Sequence, residues 1–110
     1  MSYEEIQYDV AIVGAGPAGL SAAIRLKQLS PDISVCIIEK GAEVGSHILS
    51  GAILEPNSLT ELFPNWKELK APIQTKVQKE DFLFLTKKNS FKLPSFLLPS
   101  DMKNDDNYII

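Results

Sequence analysis

The run Tyr8–Glu39, YDVAIVGAGPAGLSAAIRLKQLSPDISVCIIE, decides how the rest of the chain is read. It opens with an apolar strand from Tyr8 to Val13 and passes directly into GAGPAG, Gly14 to Gly19. A helix rich in small residues follows over Leu20–Leu29, then a turn containing Pro31, then a second apolar strand, Ser34–Glu39, ending in an acid. Strand, G-x-G-x-x-G, helix, strand and acid in that order are the dinucleotide-binding fingerprint. Each glycine has its own task. Gly14 permits the tight strand-to-helix turn, Gly16 lets backbone approach a pyrophosphate, and Gly19 lets the helix lie against the strand. Pro17 stands at the helix start, where a missing N–H does least harm. With Ala18, these residues put the positive end of the helix macrodipole against an anion.

Glu39 follows Gly19 by twenty residues, the interval expected of an acid that binds an adenosine ribose. Its charge disfavours a 2′-phosphate and so NADP. The competing reading is a glycine turn that binds nothing. Three glycines and a correctly spaced acid weigh against it, because glycine costs backbone stability where no ligand needs it. Cys36 alternates with Val35 and Ile37 and is expected in the core.

Composition narrows the classes further. With 45% hydrophobic and 23% charged residues, the 110-residue chain has the make-up of a folded domain. A net charge of −3 and scattered Lys and Arg leave no basic face for nucleic acid. The single Cys excludes an internal disulfide, and no ligand cluster for zinc or an iron–sulfur centre is visible. MSYEEIQ at the amino terminus reads as neither signal nor transit peptide. No second βαβ unit follows Glu39, so the chain is expected to be the amino-terminal piece of a larger protein, with Asn107–Ile110 an apolar ending that closes nothing.

Beyond the fingerprint, Lys40–Gly51 (KGAEVGSHILSG) is a glycine- and serine-rich loop placed to run along a ligand, or else a surface connection. His47 within it is either a surface histidine or a contact to the cofactor. A short helix is expected from Asn57 or Ser58 as cap, ending at Pro64. Leu59, Leu62, Phe63 and Trp66 recur at helical spacing and face either a core or a partner or bilayer surface. Strands are expected at Thr75–Gln78 and Asp81–Thr86, the latter forming a hairpin through Lys87–Ser90 with Phe91–Leu93. Ser95–Leu98 is an apolar loop between prolines, and Asn104–Asn107 a polar turn.

Four segments together carry a resemblance: DVAIVGAGPAGLSAAIRLKQL, VCIIEK, GSHILSGAILEP and LFPNWK. The chain resembles the start of electron transfer flavoprotein–ubiquinone oxidoreductases, from Asp9 through the terminal NYII. FixC-type dehydrogenases and geranylgeranyl reductases share the glycine motif but fit the later segments less well. The resemblance implies an α/β fold, a Rossmann-like FAD-binding βαβ unit of the glutathione-reductase type, followed by a short helix and a β-hairpin region. On that reading residues 1–110 are the amino-terminal part of an FAD-binding domain, divided into 6–40 and 41–110. FAD pyrophosphate would be held by Gly14, Gly16, Pro17, Ala18 and Gly19. Glu39 would bind the ribose and Lys40 lie beside the adenosine. The loop of Ser46, His47, Leu49, Ser50, Gly51 and Ala52 would run towards the flavin, and 44–65 would correspond to a membrane-contacting segment.

The implied activity passes electrons from reduced electron transfer flavoprotein to ubiquinone at a membrane surface. The 4Fe-4S cluster and quinone site are expected only in the full-length protein, and no catalytic residue is assigned to this chain. The implied location is peripheral, on the cytoplasmic face of a bacterial inner membrane, or alternatively at the mitochondrial inner membrane. The family usually has glycine where Asp106 stands, so that turn is expected to differ. A flavoprotein of the FixC or geranylgeranyl reductase type, or a non-catalytic gene fragment, are the alternatives.

Overall fold

Residues 2–110 are described by a computed structural model, which divides into two compact units, the second running Ser50–Ile110. The first unit, ending at Leu49, is one βαβ crossover: strand β1 (Val10–Val13), helix α1 (Pro17–Leu29) and strand β2 (Val35–Ile38). The strands run parallel, with Val10 opposite Val35 and Val13 opposite Ile38. Pro17 is the first helical residue, where its fixed φ suits helix entry. Leu20, Ala23, Ile24 and Leu26 form the half-buried face of α1, and Ile12 lies beneath Gly19.

The other face of this sheet is open. Ala11 and Cys36 border a shallow groove with Ile38, which is exposed together with Val13. Cys36 is therefore half-buried, not the core residue its apolar neighbours suggested. A parallel sheet is ordinarily covered on both faces, and within this unit only the α1 side has cover.

Unit two is built differently. Strand β3 (Ile53–Leu54), β4 (Thr75–Lys76) and β7 (Tyr108–Ile109) form a three-stranded antiparallel sheet in the order β3–β7–β4. The carboxyl-terminal run is thus the central strand, where the sequence suggested a loose apolar end. Helix α2 (Asn57–Leu62) follows β3. Its N-cap is Pro56, with no side-chain cap, so Asn57 and Ser58 are helical residues and not the expected caps. The helix stops before Phe63, leaving Trp66 in the turn beyond it.

Trp66 is nonetheless the anchor of this unit. It is 6% exposed, its indole Nε1–H donates to Thr60 Oγ1 at 3.1 Å, and its ring meets Tyr108 edge-on at 5.8 Å between centroids. Among the described residues of this unit it is the one that is buried, and large aromatic side chains dominate the energetics of a core. Strands β5 (Phe82–Leu85) and β6 (Ser90–Leu93) form the expected hairpin, shifted by one residue so that Ser90 is paired with Leu85. Thr86 and Asn89 close it, Thr86 N–H donating to Asn89 O at 2.8 Å. Ser95–Leu97 and Ser100–Met102 are short 3₁₀ turns, each entered through a proline. Lys76 of β4 pairs with Asp106 at 2.9 Å, both side chains being exposed.

Candidate functional site

At the carboxyl end of β1 the backbone continues the β ladder for one more bond: Gly14 N–H donates to Ile38 O at 2.7 Å. Gly14 then turns with φ +99°, a left-handed conformation that side-chain-bearing residues rarely adopt. Gly16 is the helix N-cap, and its carbonyl accepts the first helical bond from Leu20 N–H at 2.9 Å. No side chain caps this terminus, and its first turn carries no acidic residue. The dipole and unpaired donors of a helix start are left for an anion.

Two glycines of the motif do opposite things. A Cβ on Gly19 would run into the carbonyl oxygen of Gly14 and approach Ile12 Cγ2 at 3.3 Å, so this glycine serves helix-to-strand contact. A Cβ on Gly16 would meet nothing within 4 Å. The space over Gly16 is open, as a cradle for a phosphate group requires.

Glu39 faces this turn from the position just after β2. One carboxylate oxygen, Oε2, accepts from Ala15 N–H at 2.8 Å, and the other, Oε1, accepts from Gly41 N–H at 2.7 Å. These two amides, Gly41 first, hold the carboxyl below its ordinary range, with a smaller contribution from the charge of His47. Each carboxylate oxygen has more than one lone pair, so acceptor capacity remains for the hydroxyls of a ribose. Ala15, between the first two glycines, is 3% exposed.

The structure brings Gly14, Gly16, Pro17, Ala18, Gly19 and Glu39 to one end of the βαβ unit, with Lys40 exposed just beyond. Ser46, His47 and Leu49 are exposed on a loop of the same unit, folded by bonds from Ser46 N–H to Glu43 O and Ile48 N–H to Gly45 O. Ser50, Gly51 and Ala52 belong to the second unit. There the amides of Gly51 and Ala52 both donate to Ile110 O, at 2.7 and 3.1 Å. The loop read as one ligand-facing stretch is thus shared between two units. Sequence reasoning missed Ala15, and it placed Gly41 in the ligand-facing loop without foreseeing that both donate backbone N–H groups to Glu39. No side-chain pattern announces such a role, although both are neighbours of motif residues.

Leu59, Leu62 and Phe63 are half-buried, and Val44, Ile48 and Leu49 are exposed. Among the described residues no helix is long and apolar enough to cross a membrane, and no group of three His, Cys, Asp or Glu is arranged to hold a metal.

A parallel βαβ unit with a left-handed glycine turn, an open helix start and an acid bonded to that turn defines a dinucleotide-binding protein of the Rossmann type. Residues 12–67 match the family model described as NAD(P)-binding Rossmann-like domain, and the chain belongs to that family. Over its whole length it is 55% identical to electron transfer flavoprotein–ubiquinone oxidoreductase of Pseudomonas aeruginosa, covering 21% of that protein. It is 57% identical over 94% of its length to the mitochondrial protein of that name from Dictyostelium discoideum, and 53% over 93% to the human one, covering 17% of each. The chain therefore spans about a fifth of the length of the curated relatives it matches, at their amino-terminal end.

Proposed function

We propose that this chain is the FAD-binding amino-terminal portion of a flavin oxidoreductase of the glutathione-reductase-type fold, one that takes electrons from reduced electron transfer flavoprotein and delivers them to ubiquinone. The observation that carries the nucleotide site is the Glu39 carboxylate bonded to the Ala15 amide inside the glycine turn. The names of the relatives supply the electron partners.

In this reading Gly14, Gly16, Pro17, Ala18 and Gly19 hold the pyrophosphate against the start of α1, and the open space above Gly16 receives it. Glu39 accepts from the adenosine ribose, Lys40 lies beside the adenosine half, and Ser46, His47, Leu49, Ser50, Gly51 and Ala52 follow the cofactor towards the flavin. FAD, when bound, supplies the redox chemistry. This chain supplies binding and orientation, and its negatively charged Glu39 excludes a 2′-phosphorylated ribose. The 4Fe-4S cluster, the quinone site and further strands of the sheet belong to the remainder of the full-length protein. Residues 6–40 and 41–110 are its two successive parts. Contact of 44–65 with a bilayer fits the exposed Val44, Ile48 and Leu49. It would place the protein at the surface of a bacterial or mitochondrial inner membrane.

The test is expression of the full-length protein and measurement of bound flavin by its visible absorbance. Stoichiometric FAD released by denaturation is expected, together with reduction by electron transfer flavoprotein and reoxidation by a soluble quinone. Protein that stays colourless after reconstitution with FAD would overturn the reading.

A further inference from the structure

At the opposite end of the β1–β2 pair from the glycine turn lies a polar clasp outside the fingerprint. Asp9 Oδ2 accepts from the Ser34 amide at 2.8 Å and from the Ser34 hydroxyl at 2.7 Å, while Asp9 N–H donates to Ser34 Oγ at 2.9 Å. Val10 N–H donates to Ser34 O at 3.1 Å beside it. The segment entering β2 is also gripped from α1: the Lys27 ammonium donates to the carbonyls of Pro31 and of Ile33, the latter at 2.9 Å. Two elements, the start of β1 and helix α1, thus converge on residues 31–34.

Register is what such a clasp controls. Strands are ordinarily aligned by a difference between their two faces, so that a slip exposes apolar groups. Here VAIV and VCII are apolar on both faces, and only four residue pairs join them. The hydrophobic pattern hardly distinguishes one alignment from the next. A slip of one residue moves β2 by about 3.3 Å, enough to break the 2.8 Å bond from Ala15 N–H to Glu39.

We infer that Asp9 and Ser34 are positioning residues for the nucleotide site: by keying the start of β1 to the start of β2, they place the Glu39 carboxylate against the Ala15 amide at the other end. The consequence for the ribose rests on the proposed nucleotide site, whereas the alignment itself does not. Asp9 acts at a distance, through β2, and touches no ligand. Its carboxyl is held below the ordinary range by the same Ser34 bonds, so the clasp is charged at neutral pH and correspondingly stronger than a neutral pair.

The test uses the full-length protein freed of flavin, with Asp9→Ala, Asp9→Asn, Ser34→Ala, Ser34→Thr and Glu39→Gln. In the absence of ligand, amide hydrogen exchange at Ala15 and Gly41 is expected to speed up about tenfold in Asp9→Ala and Ser34→Ala, with the interior of α1 unchanged. The second readout is the affinity ratio of ADP to 2′,3′-dideoxy-ADP, which isolates the ribose hydroxyls. Wild type should prefer ADP by roughly tenfold, the weight of one hydrogen bond to a charged group. That preference should shrink towards one in Glu39→Gln, Asp9→Ala and Ser34→Ala and persist in Ser34→Thr, which keeps the hydroxyl. If Asp9→Ala does not fold, Ser34→Ala carries the comparison, and Asp9→Asn, which keeps one acceptor oxygen for the Ser34 amide and hydroxyl, should retain the preference as Ser34→Thr does. A lowered melting temperature with exchange at Ala15 and the ribose preference both unchanged overturns the inference while leaving the nucleotide site standing. Absence of any ribose preference in wild type overturns the nucleotide site, and the exchange rates then decide the alignment alone.

Discussion

Ala15 and Glu39, separated by 24 positions in the chain, are joined by a 2.8 Å hydrogen bond from the Ala15 amide to the Glu39 carboxylate. The bond ties the glycine turn that follows β1 to the acid that follows β2. It makes the two halves of the fingerprint one object before any ligand is present.

Its first consequence is a contrast between two glycines. Gly19→Ala forces a Cβ against the Gly14 carbonyl, and overpacking of this kind costs about 1–3 kcal/mol. The variant should melt at lower temperature in the full-length protein, followed by circular dichroism, and lose flavin as it does so. Gly16→Ala meets no atom of the chain and should melt like the wild-type apoprotein while binding FAD at least about tenfold more weakly. Equal melting losses in both variants would refute the division of labour.

Acidification should weaken the protein through its depressed carboxylates. Glu39 and Asp9 have folded pKa values below their ordinary ones. Their contribution is fully present above the unfolded values, near pH 4–4.5, and is lost as pH falls through the folded values. Glu39→Gln should therefore flatten the acid limb of an unfolding-midpoint-versus-pH curve. Lys76, raised by Asp106, behaves in the opposite sense. Its contribution is present below the unfolded value and lost as pH rises through the folded one, and Asp106→Gly should remove that alkaline limb.

In the second unit Trp66 should dominate stability. Trp66→Ala is expected to cost roughly 3–5 kcal/mol, read by circular dichroism in urea. Thr60→Val leaves the indole N–H without its acceptor and should cost about 1–3 kcal/mol, read from the fluorescence of the single tryptophan. A Thr60→Val variant as stable as wild type would show that this bond contributes nothing net.

Cys36 reports on the open face of the β1–β2 sheet. If the remainder of a longer protein covers that face, a maleimide should label Cys36 readily in this 110-residue chain and slowly in the full-length protein. Equal rates would contradict the proposal that further elements pack there.

Much of the first unit was legible in the residues themselves. Gly14, Pro17 and Gly19 each occupy the position their backbone chemistry demands, and Glu39 lies where its spacing put it, because these constraints are local or act over one crossover. The hairpin was nearly right for the same reason: its turn is written in Thr86–Asn89, and only residues at the strand ends were misplaced, Asp81 and Thr86 lying outside β5 and Ser90 inside β6.

Other features were settled at longer range. Tyr108–Ile109 is two residues long and carries no periodicity, yet it is the central strand of its sheet because β3 and β4, distant in sequence, both bond to it. Trp66 looked like one more residue on a helical stripe. It is buried through Thr60 and Tyr108, contacts that no spacing rule encodes. The α2 cap went to Pro56, although Asn57 and Ser58 had the better side chains, because the chain leaving β3 turns one residue earlier. Sequence alone thus determined the glycine turn, the helix entry and the acid of the fingerprint, all consequences of local φ, ψ and charge. Only tertiary structure decided that Glu39 bonds to Ala15 and Gly41, that Asp9 keys to Ser34, and which strand lies at the centre of the second sheet, because backbone amides have no sequence signature until the fold brings them to a partner.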